Sequence, residues 1–309
     1  MTERATAVPA GGSPAAQAPE AASHVGRAGG APWILVTNDD GVDSPALPPL
    51  LPALASLGRV RAVVPASECS WTAKIMSRFA LLTPRLQRRS EAEVWGVDGY
   101  PADCANLGIH SLFDCPPALV VSGVNLGTNA GLAFALSSGT VGAALEAALA
   151  GVPAVAFSVE LRPEDYAEWR RCRVLRDEAR ELLERGAAVA AEIVAEVLRG
   201  GLPGDASLMS VNMPSSLRLD SPRRLAPLTA TAYGPYFSRR GDGRFGYHFS
   251  GLRICAPAPQ GDLAVLARGE VALTPIRLVL DAAISAADRT RFERGGDSVG
   301  PAPGGISSP

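Results

Sequence analysis

The sequence has one lysine, few histidines and no regularly spaced cysteines. Among its 309 residues, Lys74 is the sole lysine, three residues are histidine, and the five cysteines include no Cys-x-x-Cys pair. This excludes a structural zinc site and a disulfide framework, since both need closely spaced cysteines or histidines. The cysteines are therefore expected to be the reduced thiols of a cytoplasmic protein. Any bound metal must be held mainly by oxygen, as magnesium, manganese and calcium are.

Long apolar runs and a charge excess are also missing. No uninterrupted apolar stretch approaches the roughly 18 residues that a membrane-spanning helix needs, and the N-terminus has no apolar signal-peptide core. The 29 Lys plus Arg nearly balance the 31 Asp plus Glu. Such a balance argues against neutralisation of duplex nucleic acid. The charge balance does not exclude binding of a small anionic substrate, because such binding needs only local positive charge.

Composition divides the chain into two tails and a folded body. Residues 1–31 and 294–309 are rich in Ala, Gly and Pro and nearly free of large apolar side chains. Such segments cannot bury enough surface to offset their ordering entropy, so both are predicted to be disordered. The folded body is therefore predicted to span residues 32–293.

Short, continuous apolar runs alternate with helical patterns along most of this body. The runs predict strands at 33–37, 60–64, 118–122, 154–158 and 207–212, and the helical patterns lie at 103–112, 140–150 and 175–199. Strands without apolar–polar alternation are typical of a parallel sheet covered on both faces. We predict a doubly wound, mostly parallel, Rossmann-like α/β fold. Three prolines in the 45–57 stretch argue against a regular helix there.

The amino-acid composition and hydrophobic pattern change between residues 218 and 275. Aromatic residues cluster in Tyr233-Gly234-Pro235-Tyr236-Phe237 and in Phe245-Gly246-Tyr247-His248-Phe249, with an Arg- and Gly-rich segment between them. Two aromatic-rich runs separated by turn residues predict a β-hairpin arm rather than more of the doubly wound core.

In open α/β sheets, ligands bind at the carboxyl ends of the strands. Asp39 and Asp40 come directly after the first predicted strand. Adjacent carboxylates repel each other unless a cation lies beside them, and a hard metal ion prefers such oxygen ligands. The motif therefore points to a metal site, although an Asp-Gly turn at a strand end is a common alternative.

Two further loops follow predicted strands. The loop at 65–74 offers hydroxyl groups and Lys74, which can contact phosphate as a point charge; an ordinary surface loop is the alternative. The loop at 122–131 is rich in glycine and asparagine and leads to Ser138-Gly139-Thr140 at the start of a helix. A helix N-terminus favours phosphate, although a Ser or Thr cap also explains this pattern.

Taken in order, these motifs resemble the SurE nucleotidase family over residues 33–280. The resemblance rests on four segments: Val36-Thr37-Asn38-Asp39-Asp40-Gly41; Val64-Pro65 with a serine five residues past the proline; Ser122-Gly123-Val124-Asn125-x-Gly127-x-Asn129-x-Gly131; and Ser138-Gly139-Thr140-Val141. Weaker matches to the family pattern occur at Pro101-Ala102-Asp103-Cys104, Ser210-Val211-Asn212-Met213-Pro214 and Leu273-Thr274-Pro275.

The resemblance implies hydrolysis of nucleoside 5′- or 3′-monophosphates with one divalent metal per subunit, Mg²⁺ or Mn²⁺. It implies assembly into a homodimer or homotetramer through the hairpin arm and the C-terminal helix. The metal would polarise the phosphoryl oxygens and orient or activate a water, and Asp39 is the candidate base. The implied metal ligands are Asp39, Asp40, Ser70 and Asn125, with Asp39 and Asp40 also catalytic; the implied phosphate-binding residues are Asn129, Ser138, Gly139 and Thr140, joined by Lys74.

The chain departs from the family pattern near the substrate. Trp71 follows Ser70 where a small residue is usual, and Tyr100 precedes Pro101 where threonine is typical. The 130–137 segment is one residue longer and lacks the common acidic residue. Trp71 either stacks on a base, narrows the pocket or serves only in packing. These changes leave the metal ligands intact and alter the pocket.

Other functional classes fit less well. A haloacid-dehalogenase-type phosphatase needs alternate rather than adjacent aspartates, the first acting as nucleophile. A dinucleotide-dependent dehydrogenase needs Gly-x-Gly-x-x-Gly after the first strand, which is absent. A nucleotide- or phosphate-binding module without turnover and a phosphatase for a specialised biosynthetic ester are the remaining alternatives.

Overall fold

The computed structural model describes residues 33–89, 92–249, 251–279 and 282–294. The N-terminal tail predicted over 1–31 lies outside these residues, as does all but the first residue of the C-terminal tail.

A nine-stranded sheet forms the centre of the fold. The spatial order is β3 (Arg85–Arg89), β4 (Ala92–Val97), β2 (Arg59–Pro65), β1 (Trp33–Thr37), β5 (Leu119–Leu126), β6 (Ala154–Val159), β7 (Leu208–Met213), β13 (Val271–Ile276) and β8 (Arg223–Leu225). In this order the six strands from β4 to β7 are parallel, while β3 runs antiparallel to β4 and β13 runs antiparallel to β7. The five predicted strands are all present, and the doubly wound α/β prediction is confirmed.

Helices cover both faces of this sheet. The helices of the described residues are α1 (Leu47–Ala55), α2 (Pro101–His110), α3 (Leu132–Ser137), α4 (Gly139–Leu149), α5 (Pro163–Cys172), α6 (Asp177–Gly200), α7 (Asp262–Ala267) and α8 (Ala286–Phe292). On one face α2 packs against α4 and against β1 and β2, and on the other α1 packs against α6. Every residue of β1, β6 and β7 is buried, which explains their continuous apolar runs.

Helix α1 forms despite its prolines. Pro48 and Pro49 lie in its first turn, where backbone N–H groups have no partner within a helix. Only Pro52 removes an interior hydrogen bond. Four buried leucines, Leu47, Leu50, Leu51 and Leu54, join the core that α6 also contacts. Burial of these side chains outweighs the missing bond, so the sequence-based doubt about this helix was wrong.

The hairpin arm is shorter than the predicted 218–275. Strand β10 (Phe237–Arg239) pairs with β11 (Phe245–Tyr247), and β9 (Thr231–Tyr233) pairs with β12 (Leu252–Ile254). Both ends of the predicted segment, β8 and β13, instead belong to the central sheet. Val271 and Ala272 of β13 are fully buried, so this strand extends the core rather than the arm.

A second unit begins at Leu278, and in its described part the Ser285 hydroxyl caps α8 by accepting from the Asp288 N–H at 3.1 Å. All five cysteines lie in the described residues and are unpaired, as predicted. Over the described residues, the helices are too short or too polar to cross a membrane.

Candidate active site

The strand order of the sheet reverses between β1 and β5. Strand β1 pairs with β2 on one side and with β5 on the other, so crossover connections diverge here and leave a crevice at the carboxyl ends. A cavity of about 500 Å³ occupies this position. It is lined by Asp39, Ser70, Trp71, Asn125, Leu126, Gly127, Thr128, Asn129, Phe134, Ser137, Ser138, Tyr166, Arg170, Tyr247 and Phe249.

Asp39 is buried at the end of β1 and is held by Thr140. The Thr140 hydroxyl donates to Asp39 Oδ1 at 2.7 Å, and the Thr140 N–H donates to Oδ2 at 3.2 Å. Burial raises the pKa of Asp39 to about 6, although the two Thr140 bonds oppose this shift. A group that lines a cavity with such a pKa is a candidate for proton transfer.

Asp40 is the second carboxylate of the site. Its Oδ2 accepts a hydrogen bond from the Leu126 N–H at 3.3 Å, which joins the end of β1 to the end of β5. Burial and the negative charge of Asp39 raise the pKa of Asp40 well above its ordinary value. Two adjacent carboxylates, Asp39 buried and Asp40 half-buried, need either protons or a cation to offset their charge.

The surroundings of these carboxylates suit a hard cation. The described residues contain no group of three or more His, Cys, Asp and Glu side chains placed to hold a metal. Neutral side chains near Asp39 also carry oxygen atoms. Ser70 and Asn125 line the same cavity as Asp39 and offer a hydroxyl and an amide oxygen. Two carboxylates with neutral oxygens are a donor set that suits Mg²⁺ or Mn²⁺.

The Ser70 hydroxyl is oriented by residues that the sequence analysis missed. Ser70 Oγ donates to Glu68 Oε1 at 2.9 Å, and the Arg173 guanidinium pairs with Glu68 Oε2 at 2.6 Å. Partial burial opposes ionisation of Glu68, but the bonds from Arg173 and Ser70 hold its pKa below the usual range. Because the Ser70 proton faces Glu68, the oxygen lone pairs are left for another partner.

Both asparagines of the glycine-rich loop are fixed by their amide groups. Asn125 Nδ2 donates to the Gly127 carbonyl at 3.0 Å, which leaves the Asn125 oxygen as the remaining acceptor. Asn129 Nδ2 donates to Ser158 Oγ at 2.8 Å, and the Asn129 backbone N–H donates to Asn212 Oδ1 at 2.8 Å. Thus β6 and β7 hold Asn129 at the cavity wall.

Only part of the predicted phosphate-binding set reaches the cavity. Ser138 lines it and caps α4 by accepting from the Val141 N–H at 3.1 Å. Thr140 is fully buried behind Asp39 and donates to it. A Cβ on Gly139 would lie 3.0 Å from the Asp39 Cβ, so this glycine permits close packing of α4 on the carboxylate. The contacts of Gly139 and Thr140 position Asp39 rather than phosphate.

Lys74 is not brought to the cavity. Its ammonium group lies 2.5 Å from Glu146 Oε2 of α4, and Asn106 donates to the other Glu146 oxygen at 2.7 Å. The backbone passes close to α4 here, since a Cβ on Gly142 would lie 2.0 Å from the Ala73 carbonyl oxygen. Lys74 therefore anchors the loop after β2 and does not line the cavity, where the sequence analysis expected it to contact phosphate.

Helix α5 supplies two lining residues that the motifs did not indicate. Tyr166 and Arg170 reach the cavity from this helix. Among the described residues that line the cavity, Arg170 is the one with a cationic side chain. The segment is polar and carries no phosphate motif. Helix α5 does follow β6, whose carboxyl end lies beside that of β5. This position in the chain could have indicated that residues of α5 reach the site.

Fold and cavity together define a doubly wound α/β protein with an acidic, oxygen-lined site at its topological switch point. The chain belongs to the survival protein SurE family, whose model matches residues 34–234. This confirms the resemblance drawn from the motifs.

Individual relatives cover most of the chain. A protein of Methanopyrus kandleri named 5′-nucleotidase SurE is 38% identical over 262 residues, which is 82% of this chain and 95% of that protein. One of Geobacter sp. M21 with the same name is 36% identical, over 80% of this chain and 93% of its own length. The crystal structure of the SurE protein from Aquifex aeolicus is similar with a TM-score of 0.64 and 28% identity, over 84% and 97% of the two chains.

Proposed function

We propose that this chain is a 5′-nucleotidase, an enzyme that hydrolyses nucleoside 5′- or 3′-monophosphates with one Mg²⁺ or Mn²⁺ per subunit. The observation that carries this proposal is the placement of Asp39 beside Asp40 at the switch point, with Ser70 and Asn125 on the wall of the same cavity. The names of the relatives from Methanopyrus kandleri and Geobacter support the reaction.

The metal would be held by Asp39, Asp40, Ser70 and Asn125. All four side chains offer oxygen, and the hydrogen bonds from Thr140 and Leu126 only partly offset the burial that raises the pKa of both aspartates. A bound divalent cation supplies Lewis-acid polarisation of the phosphoryl oxygens. Glu68 and Arg173 keep the Ser70 hydroxyl turned so that its oxygen is free.

The phosphate would be bound by other residues that line the same cavity. Ser138 presents its hydroxyl at the N-terminus of α4, where the helix dipole favours an anion. Asn129 also lines this cavity, and Arg170 adds a positive charge from α5. We assign to Asp39 the role of accepting the proton of the attacking water, because it lines the cavity and Thr140 fixes both of its oxygens.

Phosphate release from AMP and 3′-AMP tests the proposal. The chelator-treated protein should be inactive, and Mn²⁺ or Mg²⁺ should restore turnover. Nucleotide binding by calorimetry with no phosphate release under either metal would contradict the enzymatic assignment and favour a binding module. Release in the presence of excess chelator would contradict the metal dependence alone.

We also propose that the protein is a cytoplasmic homodimer or homotetramer assembled through the hairpin arm. Phe237 and Phe245 of that arm are exposed, and soluble proteins normally cover such aromatic surface and unpaired edges. Light scattering should therefore give a dimer or tetramer, and deletion of residues 230–250 should give a monomer or aggregate. A well-behaved wild-type monomer would refute this assembly.

A further inference from the structure

Five aromatic side chains, part of a cluster that extends from Tyr236 to Tyr233, pack together beside the candidate metal ligands. The Trp71 ring contacts three of the others: its centroid lies 5.7 Å from that of Phe134, 5.3 Å from that of Tyr236 and 6.3 Å from that of Tyr247. Phe249 completes the five through contacts with Phe134 at 5.7 Å and with Tyr236 at 5.9 Å. We call these five residues the aromatic wall.

The aromatic wall is assembled from three separate elements. Trp71 belongs to the loop after β2, Phe134 to α3, and the other three residues to the β10–β11 hairpin and its flanks. Trp71 directly follows Ser70 and has a φ of 62°, in the left-handed region that a tryptophan rarely adopts. The surrounding contacts therefore fix the indole next to a candidate metal ligand.

Much of this aromatic surface faces the cavity rather than the core. Trp71 is 46% exposed, Tyr247 58% and Phe249 39%, and all three line the cavity together with Phe134. Exposed apolar surface is unfavourable in water, and a flat ligand that covers it gains free energy in proportion to the covered area. Aromatic rings add a preference for stacked or edge-to-face partners.

The cavity thus presents two chemically different kinds of surface. Its lining combines the oxygen donors Asp39, Ser70 and Ser138 with four rings of the aromatic wall, those of Trp71, Phe134, Tyr247 and Phe249. A phosphomonoester has the same division when its phosphate is joined to a planar, apolar group. The cavity volume of about 500 Å³ is in the usual range for sites that enclose small organic ligands.

From this arrangement, and resting on the proposed function, we infer that the aromatic wall is a leaving-group subsite. It selects phosphomonoesters whose leaving group carries a planar aromatic ring, such as a nucleobase, over esters of sugars alone. Trp71 is the specificity-determining residue, because it touches three members of the wall and adjoins the Ser70 position. The opposing account makes the aromatic wall an interface with a second copy of this chain.

Paired substrates separate these accounts. AMP and ribose 5-phosphate share the phosphate and the sugar and differ in the base. We expect wild-type kcat/KM to be higher for AMP, and Trp71→Ala to lower kcat/KM for AMP at least about tenfold more than for ribose 5-phosphate, in line with measured base-stacking contributions. Trp71→Phe should recover part of the difference. Phe79→Ala is the matched control, since Phe79 lies on the same loop, is 91% exposed and does not line the cavity.

Each result has one meaning. A selective loss with AMP in Trp71→Ala, at an unchanged oligomeric state by light scattering, supports the subsite. Equal losses with both substrates, or a loss that accompanies dissociation of the oligomer, overturn it and leave the proposed function standing. Failure of the wild-type protein to release phosphate from either substrate with Mn²⁺ or Mg²⁺ would instead refute the proposed function.

Discussion

Thr140 donates to both carboxylate oxygens of Asp39, through its hydroxyl at 2.7 Å and its backbone N–H at 3.2 Å. This pair joins the end of β1 to the first turn of α4. It fixes the rotation of the carboxylate that lines the cavity, and it partly offsets the unfavourable burial of its charge. Asp39 is therefore oriented by a residue that does not itself line the cavity.

Removal of the Thr140 hydroxyl should weaken catalysis while the fold persists. Thr140→Val loses a hydrogen bond to a charged group, which is worth about 1.5–3 kcal/mol, so kcat/KM should fall about tenfold or more. Thr140→Ser keeps the hydroxyl and should recover most of the activity. Because the lost bond lowers the pKa of Asp39, the profile of stability against pH of the metal-free protein should move to higher pH in Thr140→Val. An unshifted profile would argue against this positioning role.

Asp39→Asn and Asp40→Asn should each abolish phosphatase activity, because each removes a charged ligand of the proposed metal. Neither should unfold the protein, and the metal-free melting temperature should stay level or rise, since burial penalises both charges. Asp98→Asn is a matched control at an exposed carboxylate and should keep activity. Full activity in both purified variants would contradict the assignment of Asp39 and Asp40 as metal ligands.

The metal-free protein should lose stability as pH rises from about 4 to about 6. The pKa of Asp39 is raised from 3.8 to about 6, so the folded state holds a proton that the unfolded chain has released over this window. The stabilisation that the bound proton of Asp39 contributes is fully present below pH 3.8, and it is lost as pH rises through about 6. A divalent metal binds the deprotonated carboxylates. The increase in melting temperature caused by Mn²⁺ should therefore be larger at pH 7.5 than at pH 5, and an increase independent of pH would contradict this coupling.

Arg170 should contribute to phosphate binding, because it places positive charge on the cavity wall. A charge-assisted contact is worth about 1.5–3 kcal/mol, so Arg170→Ala should lower kcat/KM about tenfold, mainly through KM. Arg171→Ala is a matched control, since Arg171 is the next residue of α5 and does not line the cavity. Equal kinetics in the two variants would remove Arg170 from the site.

Lys74→Ala should affect stability more than catalysis. It leaves the buried carboxylate of Glu146 without its cation, at a cost of about 1–3 kcal/mol. Arg199→Ala removes a surface pair with Glu196 and should change the free energy of unfolding by about 0.5 kcal/mol or less. Denaturant titration of both variants provides the comparison. A large kinetic loss in folded, stable Lys74→Ala would restore a direct role in phosphate binding.

Features that depend on neighbouring residues along the chain were predictable. The strand pattern arises because β1, β6 and β7 are buried on both faces, and that burial requires continuous apolar runs. Asp39 and Asp40 could be placed at a strand end for the same reason. The doubt about α1 came from applying local proline rules without the leucine core that offsets them.

The partners of each site residue depended on contacts between distant segments. Thr140 and Asp39 are 101 residues apart, and Arg173 and Glu68 are 105 apart. Lys74 also had two available anions in principle, a substrate phosphate or a carboxylate of the protein, and the packing of Ala73 on Gly142 brings it to Glu146. Residue type and spacing along the chain specify which groups can ionise, donate or ligate. The tertiary structure decides which of them meet, because hydrogen bonds and ion pairs act over a few ångströms, and only packing brings such distant segments that close.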